Sequence, residues 1–269
     1  MPDLADTHCH LYFELFREDL QEVLERSKAS GITCIMIPGI DLETSRQAVA
    51  LTESHPGLYA AVGFHPNDIS GGWTQNTLKE LETLARHPKV RAIGEIGLDY
   101  YRDRTPRNVQ QEVFKVQLDL AADLELPVII HNRDALQDLW PILSDWQSQL
   151  ERSGSQIAHR PGVLHSFEGD LETANLVIQH HFLIGVSGPV TFKNAKDRQL
   201  VIARLPLEAL LLETDAPFLT PHPFRGRRNE PARIVNIAKK LAELKLLAVE
   251  EIAFQTSKNA ELLFQWKTD

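Results

Sequence analysis

Eight short apolar stretches rich in β-formers recur along the chain, around LADTH, ITCIMIPG, LYAAVGFHP, VRAIGEIGLD, LPVIIH, PGVLHSF, HFLIGVSG and LEALLLETDAP. Between them lie segments with helical spacing of apolar residues, such as REDLQEVLERSKASG, TQNTLKELETLARHP and NVQQEVFKVQLDLAADLE. The strands are apolar throughout rather than alternating, as parallel strands covered on both faces should be. Strand followed by helix, eight times over, predicts an α/β protein of the (β/α)8 TIM barrel type. A doubly wound open sheet shares the alternation, but the count of eight favours closure. At 269 residues, such a barrel occupies the whole chain as a single domain, 1–269. The stretch DWQSQLERSGSQIAHRPG, before the sixth strand, is the loosest and reads as a connection.

Composition narrows the setting. The two cysteines, Cys9 and Cys34, supply neither a disulfide framework nor a CxxC metal knuckle, which fits a reducing, cytoplasmic home. No apolar run approaches the roughly 20 residues that span a bilayer, so no membrane association is expected. A net charge of −9 argues against nonspecific coating of nucleic acid, an affinity that comes from neutralising phosphates with Lys and Arg. A small basic cleft in an enzyme remains compatible with it.

In barrels of this type chemistry collects at the carboxyl ends of the strands. Six of the eight apolar runs end in a metal-competent side chain: His8 and His10, His65, Glu95, His131, His165 and Asp215. In DTHCHL, strand alternation puts His8 and His10 on one face, where two imidazoles can grip one ion. Each residue taken singly has a bland structural reading, and coincidence at all these ends is far less probable. Four histidines (His8, His10, His131, His165) and two carboxylates (Glu95, Asp215) exceed what one open catalytic ion needs. Two divalent ions bridged by a carboxylate fit the inventory, and Glu95 is the natural bridge.

The blocks DTHCHL, GFHP, IGEIGLDYY, IIHNRDA, HSFEG, LLETDAP and RNEP fall in order along nearly the whole chain. In these the sequence resembles the TatD family of metal-dependent deoxyribonucleases, within the amidohydrolase-like barrel superfamily. The resemblance implies one metal on His8, His10, Glu95 and Asp215, and a second on Glu95, His131 and His165. Two departures stand out: Tyr12 where the family often carries an acid, and HSFEG where it often has HCFTG. Both bear on substrate preference rather than on the six ligands.

The expected chemistry is in-line attack by a metal-activated water on a phosphodiester, with Asp215 as ligand and general base beside Glu95. The expected cofactor is a pair of divalent ions; four histidines favour Zn, Mn or Co, while Mg prefers oxygen ligands. For substrate contacts the candidates are His65, Tyr100, Arg102, Arg133, Arg225 and Arg228, since arginine forks grip phosphate and aromatic rings stack on bases. The expected substrate is a single-stranded DNA end, attacked from the 3′ side, or a small phosphodiester, with no obligate protein partner. Two rivals stay open: an amidohydrolase or lactonase acting on a small cyclic amide or ester, and a noncatalytic binding module that kept the barrel.

Overall fold

The computed structural model describes residues 3–102 and 104–266. Strands and helices alternate as β1 (Leu4–Asp6), α1 (Leu20–Ala29), β2 (Ile32–Pro38), α2 (Leu42–Ser54), β3 (Leu58–Val62), α3 (Gln75–Ala85), β4 (Val90–Asp99) and α4 (Arg107–Asp123). Then come β5 (Val128–Arg133), α5 (Leu136–Ser153), β6 (Gly162–Leu164), α6 (Leu171–Gln179), β7 (Leu183–Val186), α7 (Lys196–Arg204) and β8 (Leu210–Leu212). Two further helices, α8 (Ile234–Lys245) and α9 (Val249–Phe264), complete the chain. The strands follow chain order, β1 to β8, in one sheet. The pairs β1–β2, β3–β4, β4–β5, β5–β6 and β7–β8 run parallel. This is the eight-fold strand and helix alternation that the sequence predicts.

The chain forms two compact units: one contains the segment up to Ile37, Ser166–Gln179 and the chain from Leu183 onward, the other Pro38–His165 with His180–Phe182. In the second unit, α2 starts at a capping box, with Thr44 N–H donating to Asp41 Oδ1 (2.8 Å) and Asp41 N–H to Thr44 Oγ1 (3.0 Å). A Thr74–Thr77 pair starts α3 in the same way.

One expectation is corrected here. Residues 145–153 are not a connection but the second half of α5, which ends only at Gly154 (φ 70°). Serines and glutamines blur the apolar stripe in that stretch. Trp146, Gln147 and Leu150 are nonetheless buried, and the Trp146 indole N–H donates to the Leu118 carbonyl at 2.9 Å.

The strand that matters most is β4. Its register against β5 steps from Ile93↔Val128 to Ile96↔Ile130, three residues of β4 against two of β5. The extra residue is a β-bulge, which turns the side chain at that point off the regular pleat, and Glu95 sits in it. Beyond the bulge Gly97 pairs with His131. A Cβ on Gly97 would lie 2.0 Å from the His131 carbonyl oxygen, so the close approach of β4 to β5 requires glycine.

Candidate metal centre

The regular part of β1 stops at Asp6 and the chain bends at Thr7, but Cys9 still pairs with Ala216 in an isolated parallel bridge. Alternation therefore survives, and His8 and His10 flank the bridge on one face, as the sequence predicts. Their Nε2 atoms lie 3.1 Å apart, and both rings are buried. The Asp215 N–H donates to the His8 carbonyl (2.8 Å), which carries the Asp215 carboxylate to the same spot. Its Oδ1 is 3.4 Å from His10 Nε2 and 3.9 Å from His8 Nε2. Asp215 holds this place with a left-handed backbone (φ 56°), a strained conformation for a non-glycine residue. Two buried imidazole nitrogens this close cannot comfortably both carry a proton, whereas a cation shared with Asp215 suits them.

Tyr12 takes the other side of His10. Its hydroxyl is 2.8 Å from His10 Nδ1. With His10 Nδ1–H donating to that oxygen, the Nε2 lone pair is left to face Asp215. The tyrosine oxygen is then the acceptor that fixes the ring.

In the second unit, His131 stands against Gly97 with an acid two residues to either side. Its Nδ1 is 2.9 Å from Glu95 Oε1 and its Nε2 is 3.3 Å from Asp99 Oδ2. His65 completes a trio: His65, Glu95 and His131 each offer a ligand atom within 4.8 Å of the others. The His65 and His131 rings meet edge to face with centroids 4.4 Å apart, and His65 Nε2 is 3.8 Å from Glu95 Oε1. His65, expected as a substrate contact, therefore sits among the candidate ligands. Its Nδ1 lies 3.1 Å from the Asn67 backbone nitrogen and 3.4 Å from Asp68 Oδ2, which leaves Nε2 as the atom facing Glu95.

Charge follows this arrangement. Burial opposes a positive His131, but the hydrogen bonds it donates to Asp99 and Glu95 outweigh that and hold the ring's pKa above its usual value. His65 is pushed the other way, by burial and then by the neighbouring His131. Asp99 stays ionised well below the usual carboxylate range. Burial works against that, and the hydrogen bonds from His131, the Arg102 N–H and Asn67 overcome it. Asn67 Nδ2 donates to Asp99 Oδ2 at 2.7 Å, while the Tyr101 and Arg102 N–H groups donate to Oδ1 at 3.0 and 2.9 Å.

His165, the sixth proposed ligand, follows β6 and is buried, with its N–H on the Ile130 carbonyl at 2.9 Å. Three acids escaped the sequence reading: Asp6, Asp99 and Glu213. Each lies two or four residues from a candidate ligand, so a search for acids close to those ligands in sequence could have found them. Asp6 is buried under Thr214, whose N–H (2.9 Å) and hydroxyl (2.5 Å) both donate to it. Burial pushes its pKa up to about 7 against those bonds, and the Glu213 charge adds to the rise. Glu213 is buried as well and accepts the Ser166 N–H at 2.5 Å. Gly185 makes room for that carboxylate, since a Cβ there would lie 2.5 Å from Glu213 Oε2.

The basic loops make several kinds of contact. Arg228 forks onto Asp19 with two bonds of 2.7 Å, also donates to the Leu15 carbonyl, and ties the segment after β8 to the start of α1. Tyr100 donates to Asp138 (2.8 Å) and carries the Arg107 guanidinium over its ring at 4.3 Å. Arg133 lies over Tyr101 at 5.1 Å and Arg225 over Phe192 at 4.0 Å. Arg102 has an exposed side chain. Asn229 of RNEP is architectural: its Nδ2 donates to the Thr214 (2.9 Å) and Phe218 (2.7 Å) carbonyls and fixes the backbone around Asp215.

The family model described as TatD related DNase matches residues 5–265. The chain belongs to the TatD family. Among its relatives, the uncharacterized metal-dependent hydrolase YabD of Bacillus subtilis is 44% identical over 262 residues, covering 97% of this chain and 99% of that one. The metal-dependent hydrolase YjjV of Escherichia coli K12 is 36% identical over 260 residues, 96% of each chain. The crystal structure of YjjV superposes with a TM-score of 0.88 at 35% identity, over 98% of both chains. A TatD family hydrolase from Entamoeba histolytica shares the fold, with a TM-score of 0.85 at 24% identity over 98% of this chain and 99% of that one. Membership in the TatD family makes the chain a metal-dependent hydrolase with a (β/α)8 fold, and the buried His and carboxylate clusters are the groups able to bind metal. No helix among the described residues is long and apolar enough to cross a membrane.

Proposed function

We propose that this TatD-family hydrolase cleaves phosphodiester bonds at the ends of single-stranded DNA, trimming from the 3′ side, with two divalent cations as cofactors. What carries the reading is the convergence, within each unit, of buried and half-buried imidazoles and carboxylates at ligand distance. These are His8, His10 and Asp215 in one, and Glu95 and His131 in the other. Their donor chemistry fits cations of the Zn, Mn or Co kind, with Mg serving through abundance. In this reading, which follows the family resemblance, His8, His10, Glu95 and Asp215 would hold one ion and Glu95, His131 and His165 the other. Bound there, divalent cations supply Lewis acidity toward phosphoryl oxygens and lower the pKa of water to about 7.

The chain's own groups do the rest. Asp215 takes the proton from the attacking water on the carboxylate oxygen that it does not turn toward His10. His65 donates a hydrogen bond to a phosphate oxygen. Tyr12 and Asp99 hold His10 and His131 in the orientations needed for ligation. Arg102, Arg133 and Arg225 offer forks to the strand's remaining phosphates. Cys9 and Cys34 are buried and form no disulfide among the described residues, in keeping with a cytoplasmic setting.

The test is metal analysis of the purified chain, then chelation and re-addition of Mn²⁺, Zn²⁺, Co²⁺ or Mg²⁺ with end-labelled single-stranded oligonucleotides. A panel of cyclic amides and lactones runs alongside. Stepwise loss of nucleotides from the 3′ end that returns with metal is the expected result. Turnover confined to amides or lactones overturns the proposal in favour of the amidohydrolase reading.

A further inference from the structure

Beside the donors of His8, His10 and Asp215 stands a group of aromatic rings that metal binding does not use. The ring of Phe13 has its centroid 5.5 Å from that of His10, and the ring of Phe218 is 6.3 Å away. Phe13 and Phe218 face each other at 5.6 Å with their planes 77° apart, and Tyr12 packs on Phe13 at 4.9 Å. Phe218 is only three residues past Asp215, yet 49% of it is exposed. A phenylalanine normally buries most of its surface, so a half-open ring at a candidate active site calls for a reason.

A loose loop is not that reason. The Phe218 N–H donates to the Asp215 carbonyl at 2.7 Å, its own carbonyl accepts from buried Asn229, and Leu219 follows in a left-handed conformation (φ 46°). The ring is therefore held open by a fixed backbone. Two rings at right angles make a corner, in which a flat heterocycle can stack on one face while meeting the edge of the other. Both rings adjoin His10 edge to face, so a base stacked there would sit beside whatever group the ligands hold.

We infer that Phe218 and Phe13 form a stacking subsite for the base of the terminal nucleotide, beside the scissile phosphate. The inference rests on the phosphodiesterase reading and deepens it by naming the part of the substrate that fixes the end in register. It also gives a role to the exposed ring that follows the ETDAP block. Stacking on an aromatic ring is tolerant of base identity, so the subsite selects for a base without selecting which one.

The experiment compares two Mn²⁺-supplemented substrates, a single-stranded oligonucleotide with a normal 3′-terminal nucleotide and the same strand ending in an abasic sugar. For wild type, KM should be lower for the base-bearing end. Phe218→Ala should raise KM for that end roughly 5- to 150-fold, the span expected for losing one stacked base, with kcat little changed and the abasic end unaffected. Phe218→Tyr, which keeps a flat ring, should restore the preference, and Phe13→Ala should weaken it. Metal content and thermal midpoints of each variant show whether fold and ligands are intact. Equal loss on both ends, or no loss on either, overturns the subsite while leaving the nuclease reading standing. Wild-type protein that cleaves neither end overturns both.

Discussion

Replacing Asp99 by asparagine tests the arrangement of the second unit at one atom. Asp99 Oδ1 accepts two backbone N–H groups at 3.0 and 2.9 Å, so the oxygen of the introduced amide must stay there. The new NH2 then takes the Oδ2 position, 2.7 Å from the Asn67 amide nitrogen and 3.3 Å from His131 Nε2. Asn67 can turn its amide over to accept. His131 can respond only by giving up the Nε2 proton, which moves to Nδ1, the nitrogen that faces Glu95 at 2.9 Å. A lone pair needed for metal is replaced by a proton, and a charge-assisted hydrogen bond becomes a neutral one. Changes of this kind around a ligating histidine weaken metal binding about 10- to 100-fold, or roughly 1.4–2.8 kcal/mol. Calorimetric titration of metal-free protein with Mn²⁺ or Zn²⁺ gives the affinity, and ¹⁵N NMR of the His131 ring reports which nitrogen carries the proton. Wild-type affinity in Asp99→Asn, or an unmoved ring proton, refutes the reasoning.

Other outcomes follow from the same contacts. Glu95→Gln should lower the metal bound per chain as measured by elemental analysis, and two ions retained would remove Glu95 as the bridge. Gly97→Ala puts a Cβ 2.0 Å from the His131 carbonyl oxygen at φ 142° and should cost about 3 kcal/mol or more in urea unfolding. A loss under about 1 kcal/mol would mean that β4 and β5 separate easily. The Asp19 carboxyl is held down to about 2, first by its hydrogen bond from Arg228 and further by Arg26. A folded pKa below the ordinary 3.8 contributes stability above that value and loses it as pH falls toward 2. The difference in thermal midpoint between wild type and Asp19→Asn should therefore be full at pH 5 and shrink between pH 4 and 2. A constant gap would contradict the tether.

Much of the site was legible because strand alternation is a local rule. His8 and His10 had to share a face wherever the chain stayed extended, and an isolated bridge at Cys9 keeps it so. Asp6, Asp99 and Glu213 lie as close to the ligands in sequence, but a bend at Thr7, the bulge at Glu95 and the left-handed Asp215 break strict alternation there. The second half of α5 was hidden for a different reason: its burial depends on what Trp146 and Leu150 pack against, and serines and glutamines between them obscure the stripe. The arginines were the least legible. Arg228 looks like a phosphate fork in sequence, and only its partner Asp19, 209 positions away, shows it to be a tether.

By itself the sequence determined the alternation of eight strands with helices, the residue types able to bind metal and the blocks shared with the TatD family, since all of these are written in local order. Tertiary structure decided which nitrogen of His131 meets Glu95 and which meets Asp99, that His65 joins that cluster, and that Phe218 is held open beside His10. Those outcomes depend on a β-bulge, a left-handed Asp215 and hydrogen bonds between distant segments. Such contacts form only when strands far apart in the chain pack together, so no local pattern encodes them.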